Sequence, residues 1–140
     1  MPHQTSFTVK TPADFFAQIV LPQYQEFVEN NSSVRHALLS IITVYHMGEW
    51  VYGDGARARK AVAQTAVADD FEIARKVTNG TKHFKNKIVT RAQTGFSSGF
   101  SNAFARPLSI QRADGSETSA DELLSRLIGF WKSQNIMGVF

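Results

Sequence analysis

The sequence predicts a predominantly helical α+β fold: a bundle of four or five helices with a small antiparallel β hairpin or sheet in the C-terminal third. Three observations predict it. Apolar residues recur at three-to-four spacing through most of residues 11–86. Two capping boxes, Thr11-Pro-Ala-Asp14 and Ser119-Ala-Asp-Glu122, mark helix starts near either end. Between about residues 87 and 118, β-branched residues and an Asp114-Gly115 turn replace the helical pattern. The 140 residues, 43% of them hydrophobic, suit one domain with its own core, since a chain of this size buries about two-thirds of the surface it exposes when unfolded.

The first helix begins at Thr11, with Pro12 at its first position, and Phe15, Phe16, Ile19, Val20, Tyr24, Phe27 and Val28 carry its apolar face to about Asn30. Pro22 is expected to kink or split it, because an interior proline removes a backbone donor. Asn31-Ser-Ser33 is a turn with capping chemistry. From Val34 to Tyr52 follows the most apolar helix, with one broad face of Val34, Ala37, Leu38, Ile41, Val44, Tyr45, Gly48 and Tyr52. Leu39 and Ile42 lie on another face, so this helix should be covered on more than one side, and Gly53-Asp-Gly55 ends it. Ala56 to about Lys85 should be helical, with a break near Asp69-Asp70 and an inward face of Phe71, Ala74, Val77, Thr78, Thr81 and Phe84. Gly80 weakens it by roughly 1 kcal/mol.

Ile88-Val89-Thr90 and the alternating Leu108-Ser-Ile110-Gln read as strands. Phe96, Phe100 and Phe104, four apart among Gly and Ser, suit an extended segment whose aromatic face either packs on the helices or meets a partner. Leu123, Leu124, Leu127, Ile128 and Trp131 form the apolar stripe of a last helix over about residues 119–133.

Composition excludes several chemistries. With no cysteine there is no disulfide scaffold, no Cys-ligated zinc or iron–sulfur centre and no thiol catalysis, which fits a reducing compartment. The start of the chain lacks the apolar core of a secretory signal, and no run of about 18 apolar residues could span a bilayer. A cytoplasmic protein with no membrane partner is the expectation. The net charge of +3 hides a segregation: −3 over residues 1–54, zero over 55–72, +8 over 73–113 and −2 over the remainder. The acid-free stretch holds Arg75, Lys76, Lys82, Lys85, Lys87, Arg91, Arg106 and Arg112. RNA or another polyanion is its natural partner if the fold puts these residues on one surface, Arg75, Lys76, Lys82, Lys85, Lys87 and Arg91 above all. Packing against the acidic first third would neutralise it instead.

Two constellations could carry chemistry. Arg35, Leu39, Ile42, His46 and Glu49 fall within about 80° on the helical wheel, so three ionisable groups share one stripe of a greasy helix. If buried, they would be an acid–base pair or an internally satisfied network. No cofactor is expected; the alternative is a divalent metal held by His46, Glu49 and His83, with Asp70 and Glu72 as other third ligands. The second constellation, Arg75, Asn79 and His83, recurs one helical turn at a time. Arg can grip a phosphate with two N–H groups, and His can move a proton to or from a ribose hydroxyl, so the three are a candidate RNA-cleaving set.

Arg75 followed by Asn79-x-x-x-His83 on a helix of a small bundle resembles the motif of HEPN-domain ribonucleases and their inactive nucleotide-binding relatives. In that family the Arg and Asn adjoin a short way before the His, whereas here three residues separate Arg75 from Asn79. The resemblance covers the helical part, residues 11–86, and implies RNA binding or cleavage by a homodimer whose Arg and His residues share one cleft. Tyr45-His46-Met-Gly-Glu49-Trp50 resembles the first ligand helix of DinB-like metal-binding bundles, which usually add a His-x-x-x-His pair that this chain lacks. The run from Tyr45-His46 through Asn79 to Phe130-Trp131 is also similar to bacterial proteins without an assigned function. A non-enzymatic interaction module, using the phenylalanine-rich segment as its surface, is the third functional class.

Overall fold

Thr11 caps the first helix as its box predicts: its hydroxyl accepts from Asp14 N at 3.1 Å, and Asp14 Oδ2 accepts in return from Lys10 N at 3.1 Å. The computed structural model describes residues 8–83, 90–93, 106–112 and 114–134, and of residues 82, 83, 90–93, 106 and 107 it describes the backbone alone. From Pro12 the chain stays helical through α1 (Pro12–Phe15), a five-residue π turn (Phe16–Val20) and α2 (Leu21–Glu29). Pro22 therefore does not split the helix. The N–H of Leu21 bonds to Phe16 O, five residues back. The wider turn precedes the proline, which has no N–H to offer, and lets the helix continue past it. Phe16, Val20 and Phe27 point inward, while Ile19 and Val28 stay exposed.

Ser33 caps α3 (Val34–Tyr52), accepting from His36 N at 3.2 Å. This helix is the centre of the fold, packed by α2, α4 (Gly55–Val62), α5 (Ala68–His83) and α6 (Ala120–Ser133). Ala37, Ser40, Ile41, Val44, Met47 and Gly48 are its buried positions, so the expected broad face holds, with Val34 the exception at the exposed first turn. Gly53, at φ +107°, ends α3 by donating to Glu49 O at 2.9 Å, a conformation that favours glycine. Asp54 then caps α4 by accepting from Arg57 N at 3.2 Å.

The break expected at Asp69-Asp70 falls earlier, at residues 63–67. There Thr65 turns its N–H and its hydroxyl onto Val62 O, at 3.0 and 2.7 Å, closing α4 in a tight turn. Asp69 and Asp70 lie inside the first turn of α5, where negative charge suits the helix dipole. The helix runs on through Gly80 to His83. Phe71, Ala74, Val77 and Thr78 face the core as expected, but Thr81 is exposed.

Among the described residues three short strands, β1 (Thr90–Gln93), β2 (Arg106–Gln111) and β3 (Glu117–Ser119), pair antiparallel in the order β1-β2-β3. Gly115, at φ +89°, makes the β2–β3 turn, and Asp114 Oδ1 fixes it by accepting from Ser116 N at 2.9 Å and Ser116 Oγ at 2.6 Å. Ser119 ends β3 and caps α6, accepting from Glu122 N at 3.2 Å. Leu108 and Ile110 of β2 then meet Leu123, Leu124, Leu127 and Trp131 of α6 in one buried cluster with α3. The class predicted from sequence, a helix-dominated α+β fold with a small C-terminal antiparallel sheet, is the one observed. Ile88, Val89, Phe84, Lys85, Lys87 and the Phe96, Phe100 and Phe104 trio lie outside the described residues.

Candidate functional site

Helices α3, α4 and α5 leave between them a pocket of about 480 Å³. Its buried floor is Gly48, Ala58, Val62 and Phe71, and Tyr45, Arg59, Lys60, Glu72 and Arg75 stand around it with at least part of their surface in solvent. The local sequence explains each position. Arg59 and Lys60 occupy the last turn of α4, where cations complement the dipole, and Ala58 and Val62, four apart on its buried side, turn inward. Arg75 lies one turn beyond Glu72 on α5 and grips it with two hydrogen bonds, Nε to Oε2 at 3.0 Å and a terminal nitrogen to Oε1 at 2.6 Å.

The electrostatics follow from these pairings. The guanidinium of Arg75 holds the Glu72 carboxyl below its ordinary range, and the carboxylate raises Arg75 in turn. Burial, reinforced by the charge of Glu49, pushes the Tyr45 phenol up, so it faces the pocket as a neutral hydroxyl. Arg59 and Lys60 form no ion pair among the described residues, and every Asp and Glu of the chain is among those residues. The rim sets Arg59, Lys60 and Arg75 against the single carboxylate of Glu72, which Arg75 grips and Arg59 also attracts, so it carries a net excess of two positive charges above an apolar floor. An anion with an apolar or aromatic part matches that arrangement.

The structure places Arg75, Asn79 and His83 on successive turns of α5, about 6 Å of helix rise apart. Arg75 lines the pocket, and Asn79 stands half-buried one turn beyond it. His83 closes the helix, its side chain outside the described set, as are those of Lys82 and Arg91. Arg75 meets Glu72 rather than standing open to a phosphate.

The stripe of α3 lies at the surface, not in the core. Arg35 is exposed, and the side chains of His46 and Glu49 are 44% and 39% exposed, with His46 Nδ1 3.6 Å from Glu49 Oε1. Beside them Phe15 stacks on Trp50 at 5.0 Å, the four residues lining a shallow hollow of about 460 Å³. No three His, Asp or Glu side chains gather to hold a metal among the described residues. The carboxylates considered as third ligands are engaged elsewhere, Glu72 by Arg75 and Asp70 by Arg126.

Sequence reasoning missed Arg59, Lys60 and Tyr45. It also missed a network in which Arg126 of α6 donates to Asp70 Oδ2 at 2.9 Å, to Asp70 Oδ1 at 3.0 Å and to the Thr118 hydroxyl at 3.0 Å. Arg126 lies 56 positions after Asp70 in the chain, and no local pattern announces the pair. Among the described residues no helix is long and apolar enough to cross a membrane. Neither a family model, nor a curated protein, nor a solved structure matches this chain.

Proposed function

We propose that this chain is a cytoplasmic RNA-binding protein that takes RNA along its α4–α5 face. The observation that carries the reading is the excess of positive charge at Arg59 and Lys60, set beside an apolar pocket with Phe71 in its floor. Phosphates would lie on the cations, and an unpaired base would enter the pocket, as single-stranded RNA is commonly read. Arg75 and Asn79 extend the polar edge along α5 toward His83, and Lys76 adds a further basic residue to that helix. The unbroken run of α5 through Gly80 supports the likeness to HEPN domains, since it keeps Arg75, Asn79 and His83 on one helix. Cleavage would require Arg75 to release Glu72, and His83 would be the proton carrier.

The test is binding of a labelled single-stranded oligoribonucleotide across a salt series. Two phosphate contacts, at Arg59 and Lys60, predict a slope of log affinity against log salt of about −1.4. Arg59→Glu with Lys60→Glu should flatten that slope and weaken binding at least about tenfold. Absent or salt-independent binding would refute the reading. Product formation abolished by His83→Ala would add cleavage to it.

A further inference from the structure

The outer stripe of α3 follows a spacing that the RNA face does not use. Arg35, Leu39, Ile42, His46 and Glu49 recur at intervals of four, three, four and three residues, the repeat of a coiled-coil seam. It is partly open to solvent: Leu39 is 41% exposed, Ile42 is half-buried, and Trp50, on the same side of the helix, is 38% exposed with Phe15 stacked on it. Its charges are arranged end to end. Arg35, at the start, has no carboxylate partner among the described residues, and the His46–Glu49 pair stands at the far end.

We propose that this stripe is the seam of a symmetric dimer, with α3 of a second copy laid antiparallel along it. Ile42 lies seven residues from Arg35 and seven from Glu49, so both charges stand about 10 Å from a two-fold axis at Ile42. That axis sets Arg35 of each copy opposite the His46–Glu49 pair of the other, twice over. Leu39 and Ile42 close the centre between these pairs. A parallel arrangement would instead set Arg35 against Arg35, and repulsion of that kind is how charged flanks select orientation. This face is separate from the α5 motif, so the dimer is not the one the HEPN resemblance implies, with Arg and His of two copies in one cleft, and it is read without RNA.

Sedimentation equilibrium over a concentration series tests it. The parent protein should dimerise, and Leu39→Glu, at a position already exposed, should leave a folded monomer by circular dichroism. Arg35→Glu and Glu49→Arg should each raise the dimer dissociation constant roughly tenfold, because a symmetric seam feels each change twice. Together, in one chain, they should restore it to within a few-fold of the parent. A protein that stays monomeric to about 0.5 mM overturns the proposal. So does a dimer that Leu39→Glu leaves intact, and a double charge swap that fails to rescue overturns the antiparallel arrangement.

Discussion

Replacing Gly48 by Ala should stabilise the protein. Gly48 is buried in the middle of α3 with ordinary helical φ, where glycine costs about 0.8–1 kcal/mol relative to Ala through lost backbone freedom. The new methyl would stand 3.8 Å from Phe71 Cε1, 3.9 Å from Ala58 Cβ and 4.0 Å from Val62 Cγ1, all ordinary contact distances. Its burial against three apolar groups adds about 0.5 kcal/mol, less than a full methylene because the pocket leaves one side open. The expected gain is about 1–1.5 kcal/mol, or roughly 3–6 °C in melting temperature for a chain of this length. Urea unfolding at neutral pH, followed by circular dichroism with the slope unchanged, measures it directly. A loss of stability would mean that α3 lies closer to α4 and α5 than these distances allow. The same result would remove the floor of the pocket, and with it the proposed seat for a base.

Arg126→Met strips the guanidinium from the buried Asp70 carboxylate and from the Thr118 hydroxyl; because Arg126 is 38% exposed, the cost should sit near 2–3 kcal/mol, below that of a fully buried pair. Adding Asp70→Asn should recover part of that loss, and strict additivity of the two changes in a double-mutant cycle would show that they do not interact. Glu72 has its carboxyl lowered in the fold by Arg75, so its contribution is present above the ordinary value of 4.5 and disappears as pH falls through the lowered one. Glu72→Gln should therefore flatten the acid limb of stability against pH below about 4.5, and an unchanged limb in urea melts from pH 3 to 7 would contradict the pairing. Ser119→Ala removes the α6 cap at the end of β3 and should cost about 1 kcal/mol by the same melts, whereas Ser133→Ala at the exposed far end should cost little.

Local rules made most of the helical architecture legible. Thr11, Ser33 and Ser119 announce caps that depend only on residues three positions on, and each cap forms. Asp114-Gly115 announces a turn in the same way. The errors came where two local rules competed. Pro22 lacks a donor and so predicts a break, but Phe16, Val20 and Phe27 bury the same side of the helix on both flanks of it. A π turn satisfies both demands, and no sequence pattern distinguishes it from a kink. Asp69-Asp70 carries capping chemistry, yet Thr65 closes α4 first and leaves the acids in the opening turn of α5.

The site was less legible, because its electrical character depends on contacts between helices. Residues 55–72 hold three cations and three carboxylates and so read as neutral. In the fold, Asp70 turns away to Arg126 and Glu72 is gripped by Arg75, a residue outside that segment. Arg59 and Lys60 are thereby left without an ion pair to the carboxylates that the sequence places within 13 residues of them. Conversely, Arg75 heads the basic run from which an RNA site is expected, and it is the cation at the pocket whose charge is cancelled. A segment's net charge is a sum over neighbours in the chain, whereas a ligand meets a sum over neighbours in space. In this protein the two differ in sign of consequence: the neutral segment supplies the attracting cations, and the leading arginine of the basic one supplies the ion pair that frames them.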